Sequence, residues 1–448
     1  MEHVVIIGNG ISGITCARNL RKQSDVKITI ISSETKYFYS RTALMYVFMG
    51  HMEFEHTQPY ENHFWEKNNL HLIQNKVCGI DTNAKTLQLI NGDQVTYSKL
   101  VLALGSKSNM FGWPGQDADG VVTMYHKQDL EEIDRVVQRT KRAVLVGGGL
   151  IGVELAEMLI SRGVEVVFLI REGCFWGNVL PKEEGTFISR HIQEDHHVDL
   201  RFERNLKSIN TDEQGRVKSI TIEETGEELS CEMVGLTAGV SPNIDWLKDT
   251  AIETKRGILV NQFLETNISD VYALGDCAEF SNPMPGRRPI EQVWYTGRMM
   301  GEVLANTLAG KKTPYDPGIW FNSAKFFDIE YQTYGTVLAE LEEGQHHFFW
   351  ANEQGTKCLK IVFEKESGQL IGVNSFGIRL RHHVMDQWLQ DGKTIEHMLA
   401  YFKDVNFDPE LYHSIIDEVI QAYEEQFKKH IPLKKKSWKR LLNLMKRA

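Results

Sequence analysis

Residues 4–13 read VVIIGNGISG and residues 143–152 read AVLVGGGLIG; in both, an apolar run goes straight into Gly-x-Gly-x-x-Gly and on into a helix-forming stretch. A lone motif of this kind is as often a plain turn, but between a strand and a helix it is the loop that cradles a dinucleotide pyrophosphate. In the first copy Gly8 permits the tight turn, Gly10 lets the backbone approach a phosphate, and Gly13 packs the helix on the strand. The free N–H groups at the helix start face the phosphate charge. Residues 27–31 form the next strand, and Glu34 follows Gly13 by 21 residues, close to the ~20 at which a carboxylate accepts adenosine ribose hydroxyls. Gly147, Gly149 and Gly152 take the same places in the second copy, ahead of a strand at 164–170. Two complete units in one chain predict two dinucleotides.

Working outward, Val- and Ile-rich strands alternate with helical stretches through residues 1–175, which predicts α/β structure with parallel sheets. FGWPG at 111–115 breaks the pattern before it restarts at Ala143. Short alternating runs at 203–232 predict an antiparallel meander, and beyond about residue 315 aromatic clusters, strands and late helices predict an α+β unit. A chain of 448 residues exceeds one core. The expected segments are 1–113, 114–242, 243–314, 315–430 and a tail at 431–448.

A net charge of −10 argues against general nucleic-acid binding. No apolar run is long enough to cross a bilayer. The first strand begins almost at Met1, leaving no room for a leader, so a cytoplasmic location is expected. The six cysteines show no CxxC spacing and are read as buried small hydrophobes. His196-His197 and His382-His383 lack ligand-spaced partners, and no metal is expected. In the tail, Lys434, Lys435, Lys436, Lys439, Arg440, Lys446 and Arg447 oppose Trp438, Leu441, Leu442 and Met445. Such a helix can lie on the inner face of an anionic membrane or dock on an acidic carrier; a solvated tail is the plain alternative.

Residues 266–276, TNISDVYALGD, form a short apolar strand closing on Gly275-Asp276. This segment resembles the second flavin motif of the pyridine nucleotide-disulfide oxidoreductase superfamily. Leu102-Ala103-Leu104-Gly105 and Leu236-Thr237-Ala238-Gly239-Val240-Ser241-Pro242-Asn243 resemble the points where that family's chain leaves the flavin domain and returns to it. The resemblance is dense over residues 1–310 and looser beyond. It implies two Rossmann-like dinucleotide-binding domains, the second inserted in the first, and a C-terminal α+β interface domain that could serve a homodimer.

The resemblance assigns FAD to the first unit, with Gly8, Gly10, Ser12, Gly13, Glu34, Arg41, Ala103, Gly105, Asp276, Val293 and Trp294 as its site. In that family the matching Asp binds the ribityl chain, the role implied for Asp276. Backbone groups of Val293 and Trp294 begin a helix whose dipole stabilises negative charge on the flavin. NADPH or NADH falls to Gly147, Gly149, Gly152, Glu154, Arg171 and Gly239. Glu154 resembles the carboxylate that positions the nicotinamide, and Ile170-Arg171 resembles a strand end that meets a 2′-phosphate, favouring NADPH.

Thiol-mediated transfer is not expected, because Arg41 stands where one branch carries its single Cys. Glu34, Arg41 and Leu44 together resemble the ferredoxin and rubredoxin reductases and the nitrite reductase large subunit, although Met45-Tyr46 replaces that branch's usual Ser-Lys. As an arginine, Arg41 supplies fixed positive charge rather than a proton. The expected activity is hydride transfer from NAD(P)H to FAD and electron delivery to a small rubredoxin- or ferredoxin-like carrier. A peripheral-membrane quinone reductase and a flavin-holding redox sensor are the alternatives.

Overall fold

The computed structural model describes residues 2–407 and 414–432. Its chain divides into two compact units, Met1–Gly173 with Val198–Gly318, and Cys174–His197 with Ile319–Ala448.

Both glycine motifs lie in the first unit, each at the centre of its own five-stranded sheet. The first sheet runs Val271–Ala273, Lys99–Leu102, His3–Ile7, Lys27–Ser32, Leu70–Gln74. Every neighbouring pair is parallel. The second runs Asp199–Phe202, Glu165–Ile170, Arg142–Val146, Met233–Leu236, Val121–Val122, again parallel throughout. Val4, Val5, Ile6 and Val144 are wholly covered. A parallel sheet is covered on both faces by its crossover helices, which is why these strands are apolar without alternation.

Register repeats between the copies: His3 pairs with Lys27 and Ile7 with Ile31, as Arg142 pairs with Glu165 and Val146 with Leu169. The expected meander is present as antiparallel Leu206–Thr211, Val217–Ile222 and Glu228–Ser230.

Behind the first turn, helix Ile11–Arg21 meets helix Trp294–Leu308 at glycines. A methyl group on Gly301 would lie 2.6 Å from the Ser12 carbonyl oxygen and 3.0 Å from the Cys16 nitrogen. The two backbones therefore touch, and the crossing tolerates no side chain at 301.

The second unit is built on an antiparallel sheet ordered Phe321–Phe326, Ile329–Gly335, Leu370–Phe376, Cys358–Glu364, Gln345–Ala351. The helices His382–Gln390, Ile395–Ala400 and Ile416–Phe427 share its core of Phe348, Ile361, Val373, Met398 and Tyr423. The aromatic cluster read from 320–335 is core, with Phe326, Tyr331 and Tyr334 all buried. Helix Lys182–Glu194, which sequence reading runs on inside the second nucleotide domain, groups instead with this sheet. It brings Glu183 to the buried Lys360 at 3.0 Å and Glu184 to the buried Asn374 at 3.0 Å. These polar contacts gave no periodic signal.

Ile431, counted above with the tail, is buried, and its N–H donates to Glu424 Oε1 at 2.7 Å. Residues 433–448, which carry the basic and apolar tail positions, lie outside the described residues. Among the described residues no helix is long and apolar enough to cross a membrane.

Gly301→Ala is expected to lower stability by about 1–3 kcal/mol through overpacking, read as a lower urea midpoint. Gly173→Ala, where an added methyl meets nothing within 4 Å, should stay within about 0.5 kcal/mol of the parent. Equal midpoints for the two variants would remove the proposed backbone contact.

Candidate functional site

At the first turn the three glycines are held by different constraints. Gly8 has φ +112°, and a methyl there would lie 2.0 Å from the Ala103 carbonyl oxygen. On Gly13 it would lie 2.2 Å from the Gly8 carbonyl oxygen, whereas on Gly10 it would meet nothing within 4 Å. Two glycines are thus fixed by the protein's own backbone, and the middle one faces open space. Helix Ile11–Arg21 starts at Gly10 with no side-chain cap and no acid in its first turn. Uncapped helix N–H groups beside a bare backbone are what a pyrophosphate requires.

The second turn repeats the arrangement. Gly147 has φ +112° and would clash with Thr237 O at 2.8 Å, and Gly152 with Gly147 O at 2.7 Å. Helix Leu150–Ser161 starts at Gly149, again without a side-chain cap or first-turn acid. Thr237 Oγ1 donates to Val146 O at 3.1 Å and Gly147 O at 3.2 Å, tying the turn to the strand that ends near Gly239. Glu154 lies half-buried on this helix, beyond its first turn.

Glu34 and Arg41, expected to act separately, form one ion pair. Arg41 Nη2 donates to Glu34 Oε2 at 2.7 Å and Nη1 to Oε1 at 3.1 Å. Glu34 also accepts from the Tyr39 hydroxyl and, at 2.9 Å, from the Lys127 N–H. Burial alone would raise the Glu34 carboxyl. His126, Arg41 and Tyr39 outweigh it and hold the group well below the usual carboxylate range.

The guanidinium continues the chain of contacts. Arg41 donates to the Tyr125 carbonyl oxygen and lies 4.5 Å from the centre of its ring. Tyr125 accepts the Ser106 N–H at 2.9 Å and donates its hydroxyl to Asp276 Oδ2 at 3.1 Å. Ser106 Oγ donates to the same oxygen at 3.2 Å and accepts from Gln292 Nε2 at 2.7 Å. Burial pushes the Asp276 carboxyl above its ordinary value, against these hydrogen bonds. Glu34 and Asp276, distant in sequence, are therefore the ends of one network through Arg41 and Tyr125.

Ser12 backs the Asp276 turn: methyl groups on Gly275 and Gly297 would lie 2.4 and 2.5 Å from its Oγ. Gly105, with φ +66°, passes Tyr125 so closely that a methyl would sit 3.1 Å from its hydroxyl. Helix Trp294–Leu308 begins at Val293, also without a side-chain cap. The turn before it is clamped by Arg287, whose Nε and Nη2 reach the buried Glu291 carboxylate at 2.6 and 2.5 Å. Trp294 itself is half-buried. Sequence reading missed Tyr125, Ser106 and Gln292 as network members. Ser106 and Gln292 adjoin quoted motifs, but Tyr125 has no local signal.

Arg171, just past strand Glu165–Ile170 of the second parallel sheet, is 72% exposed and pairs with Glu172 at 2.9 Å, itself 23% exposed. All six cysteines are free, but the expectation that all are buried holds for Cys16, Cys231, Cys277 and Cys358 alone: Cys174 is half-buried and Cys78, on a strand facing solvent, is exposed. Burial pushes the thiols of Cys16, Cys231 and Cys277 up to about 12, far from the thiolate form.

The bonds of Glu34 predict a pH-dependent contribution. Its depressed value means the stabilisation is complete above the unfolded carboxylate value of about 4 and is lost as pH falls through the folded one. Glu34→Gln is expected to cost about 1.5–3 kcal/mol at pH 7, with the difference from the parent narrowing below about pH 4 in urea titrations. A penalty independent of pH would mean that the charge is not what is held.

Comparison with known proteins agrees with this geometry. The model of the family described as pyridine nucleotide-disulphide oxidoreductase matches residues 2–301. The NADH-rubredoxin oxidoreductase of Clostridium acetobutylicum is 30% identical over 313 residues, 70% of this chain and 76% of the relative. The ferredoxin reductase subunit of a 5,5'-dehydrodivanillate O-demethylase from Sphingobium is 28% identical over 345 residues, 75% of this chain and 82% of its own. The solved ferredoxin reductase of Rhodopseudomonas palustris superposes with a TM-score of 0.76 at 23% identity, over 84% of this chain and 91% of that one. The last likeness speaks for the fold.

Proposed function

Because this chain belongs to the pyridine nucleotide-disulphide oxidoreductase family, we propose that it is an FAD-containing, NAD(P)H-dependent reductase serving a small rubredoxin- or ferredoxin-like electron carrier. The observation that carries the proposal is the doubled turn. Each copy holds its first glycine at φ +112° and starts an uncapped helix at its middle glycine, and in the first copy that glycine meets nothing within 4 Å. The flavin, when bound, supplies the chemistry, accepting a hydride and releasing its electrons.

The chain's own residues bind, orient and stabilise. Gly8, Gly10, Ser12 and Gly13 form the pyrophosphate turn, and Glu34 receives the adenosine ribose with Arg41 keeping it ionised. Asp276, oriented by Ser106 and Tyr125, takes the ribityl hydroxyls, while Ala103 and Gly105 line that turn. The helix start at Val293 and Trp294 stabilises negative charge. Gly147, Gly149, Gly152 and Gly239 hold the second nucleotide, and Glu154 orients the nicotinamide. NADPH is favoured by Arg171, whose fork can meet a 2′-phosphate, although the named Clostridium relative works with NADH. High thiol values for the buried cysteines support direct transfer to a carrier rather than a disulfide relay.

Anaerobic mixing of the purified yellow protein with NADPH or NADH, then with rubredoxin or a [2Fe–2S] ferredoxin, tests the proposal. Rapid flavin bleaching followed by carrier reduction is expected. A bound flavin that both nucleotides reduce only sluggishly would overturn it in favour of a sensor. Arg171→Ala should lower kcat/KM for NADPH by roughly 10-fold or more, the value of one charge-assisted contact, and leave NADH within twofold. Equal losses for both nucleotides would refute the phosphate role.

A further inference from the structure

In the second unit three potential ligands meet from two separate stretches of chain. His191 Nε2 lies 2.8 Å from Asp328 Oδ1, His196 Nε2 lies 2.9 Å from the same oxygen, and the two nitrogens are 3.2 Å apart. Bonds of about 2.0–2.1 Å in a tetrahedral zinc site place ligand atoms about 3.3 Å from one another. The triangle thus has nearly the edge length of one face of such a tetrahedron.

The ligands are also held as metal ligands are. His191 is buried, with 3% of its side chain exposed, and its Nδ1 meets Asp195 Oδ2 at 2.6 Å. That carboxylate fixes the ring orientation and leaves Nε2 facing the triangle, the arrangement that orients metal-binding histidines. His196 stacks on Phe327 with ring centres 4.0 Å apart and planes at 17°. Asp328 follows Phe327 in the two-residue turn between strands Phe321–Phe326 and Ile329–Gly335, where Phe327 has φ 55°. Without a cation, two ring nitrogens crowd a single carboxylate oxygen. With one, three lone pairs converge.

We infer that His191, His196 and Asp328 bind one divalent transition-metal ion of the zinc class, with Asp195 positioning His191 and a water completing the shell. Two imidazoles and one carboxylate select such an ion over magnesium or calcium, which take oxygen ligands. The ion clamps helix Lys182–Glu194 to the hairpin carrying Asp328. This proposal departs from the reading of His196 as a non-metal histidine, which had no carboxylate partner to weigh because Asp328 lies 132 residues away. The site is independent of the redox proposal.

The test is calorimetric titration of tag-free, chelator-treated full-length protein with ZnCl2, with MgCl2 as control. One equivalent of zinc should bind at micromolar or lower Kd, with no binding of magnesium. His196→Ala and Asp328→Asn, which change the two more exposed ligands, should each weaken zinc by at least about 10-fold while far-UV circular dichroism stays unchanged; Asp195→Asn should weaken it by about 10–100-fold. CoCl2 in place of zinc should give the intense visible bands of tetrahedral cobalt in the parent and lose them in His196→Ala. Absence of one-equivalent binding, or a loss smaller than 10-fold in either folded ligand variant, overturns the assignment.

Discussion

Everything in the nucleotide-binding unit depends on backbone approaching backbone where no side chain fits. Gly8 lies against the Ala103 carbonyl, Gly13 against Gly8, and Gly301 against Ser12. These contacts set the angle at which the first helix leaves its strand, and so where its uncapped N-terminus points. A single methyl would force strand, turn and helix apart. The same exclusions recur at Gly147 and Gly152, so the second turn obeys the same geometry with different side chains around it.

That rigid frame explains why polar residues from remote parts of the chain can meet with useful precision. Tyr125 and Asp276 are 151 positions apart, and Ser106 and Gln292 are 186 apart, yet both pairs are hydrogen-bonded. Asp276 is costly to bury as a charge, which its raised carboxyl value expresses, and its donors offset part of that cost. Arg41 couples this end of the network to Glu34. The two carboxylates are thus joined by direct contacts through Arg41 and Tyr125.

Local chemistry was legible in the sequence because it is written in consecutive residues. Both glycine turns, the parallel strands beside them, the meander at 206–230 and the C-terminal sheet follow from periodicity and turn residues. Contacts that depend on folding were not legible. Nothing in Glu34 or Arg41 announces that they pair, because a seven-residue offset outside a helix carries no fixed distance. Helix Lys182–Glu194 has the pattern of any amphipathic helix, and only its buried Glu184 and His191 reveal that its partner is the C-terminal sheet. Tyr125 sits between elements with no motif to mark it.

The two turns share a backbone but differ in what waits at the strand end, and the difference bears on how each nucleotide would be used. Glu34 is 13% exposed and already surrounded by four donors or cations of the protein. Arg171 is 72% exposed and pairs with the Glu172 carboxylate. A ligand meeting Glu34 joins a preorganised network, so little ordering remains to oppose its binding. One meeting Arg171 must order a long, solvated side chain and compete with Glu172, which weakens retention and favours exchange. On the proposed reading this asymmetry suits a flavin that stays through many cycles and a nicotinamide nucleotide that must leave after each one.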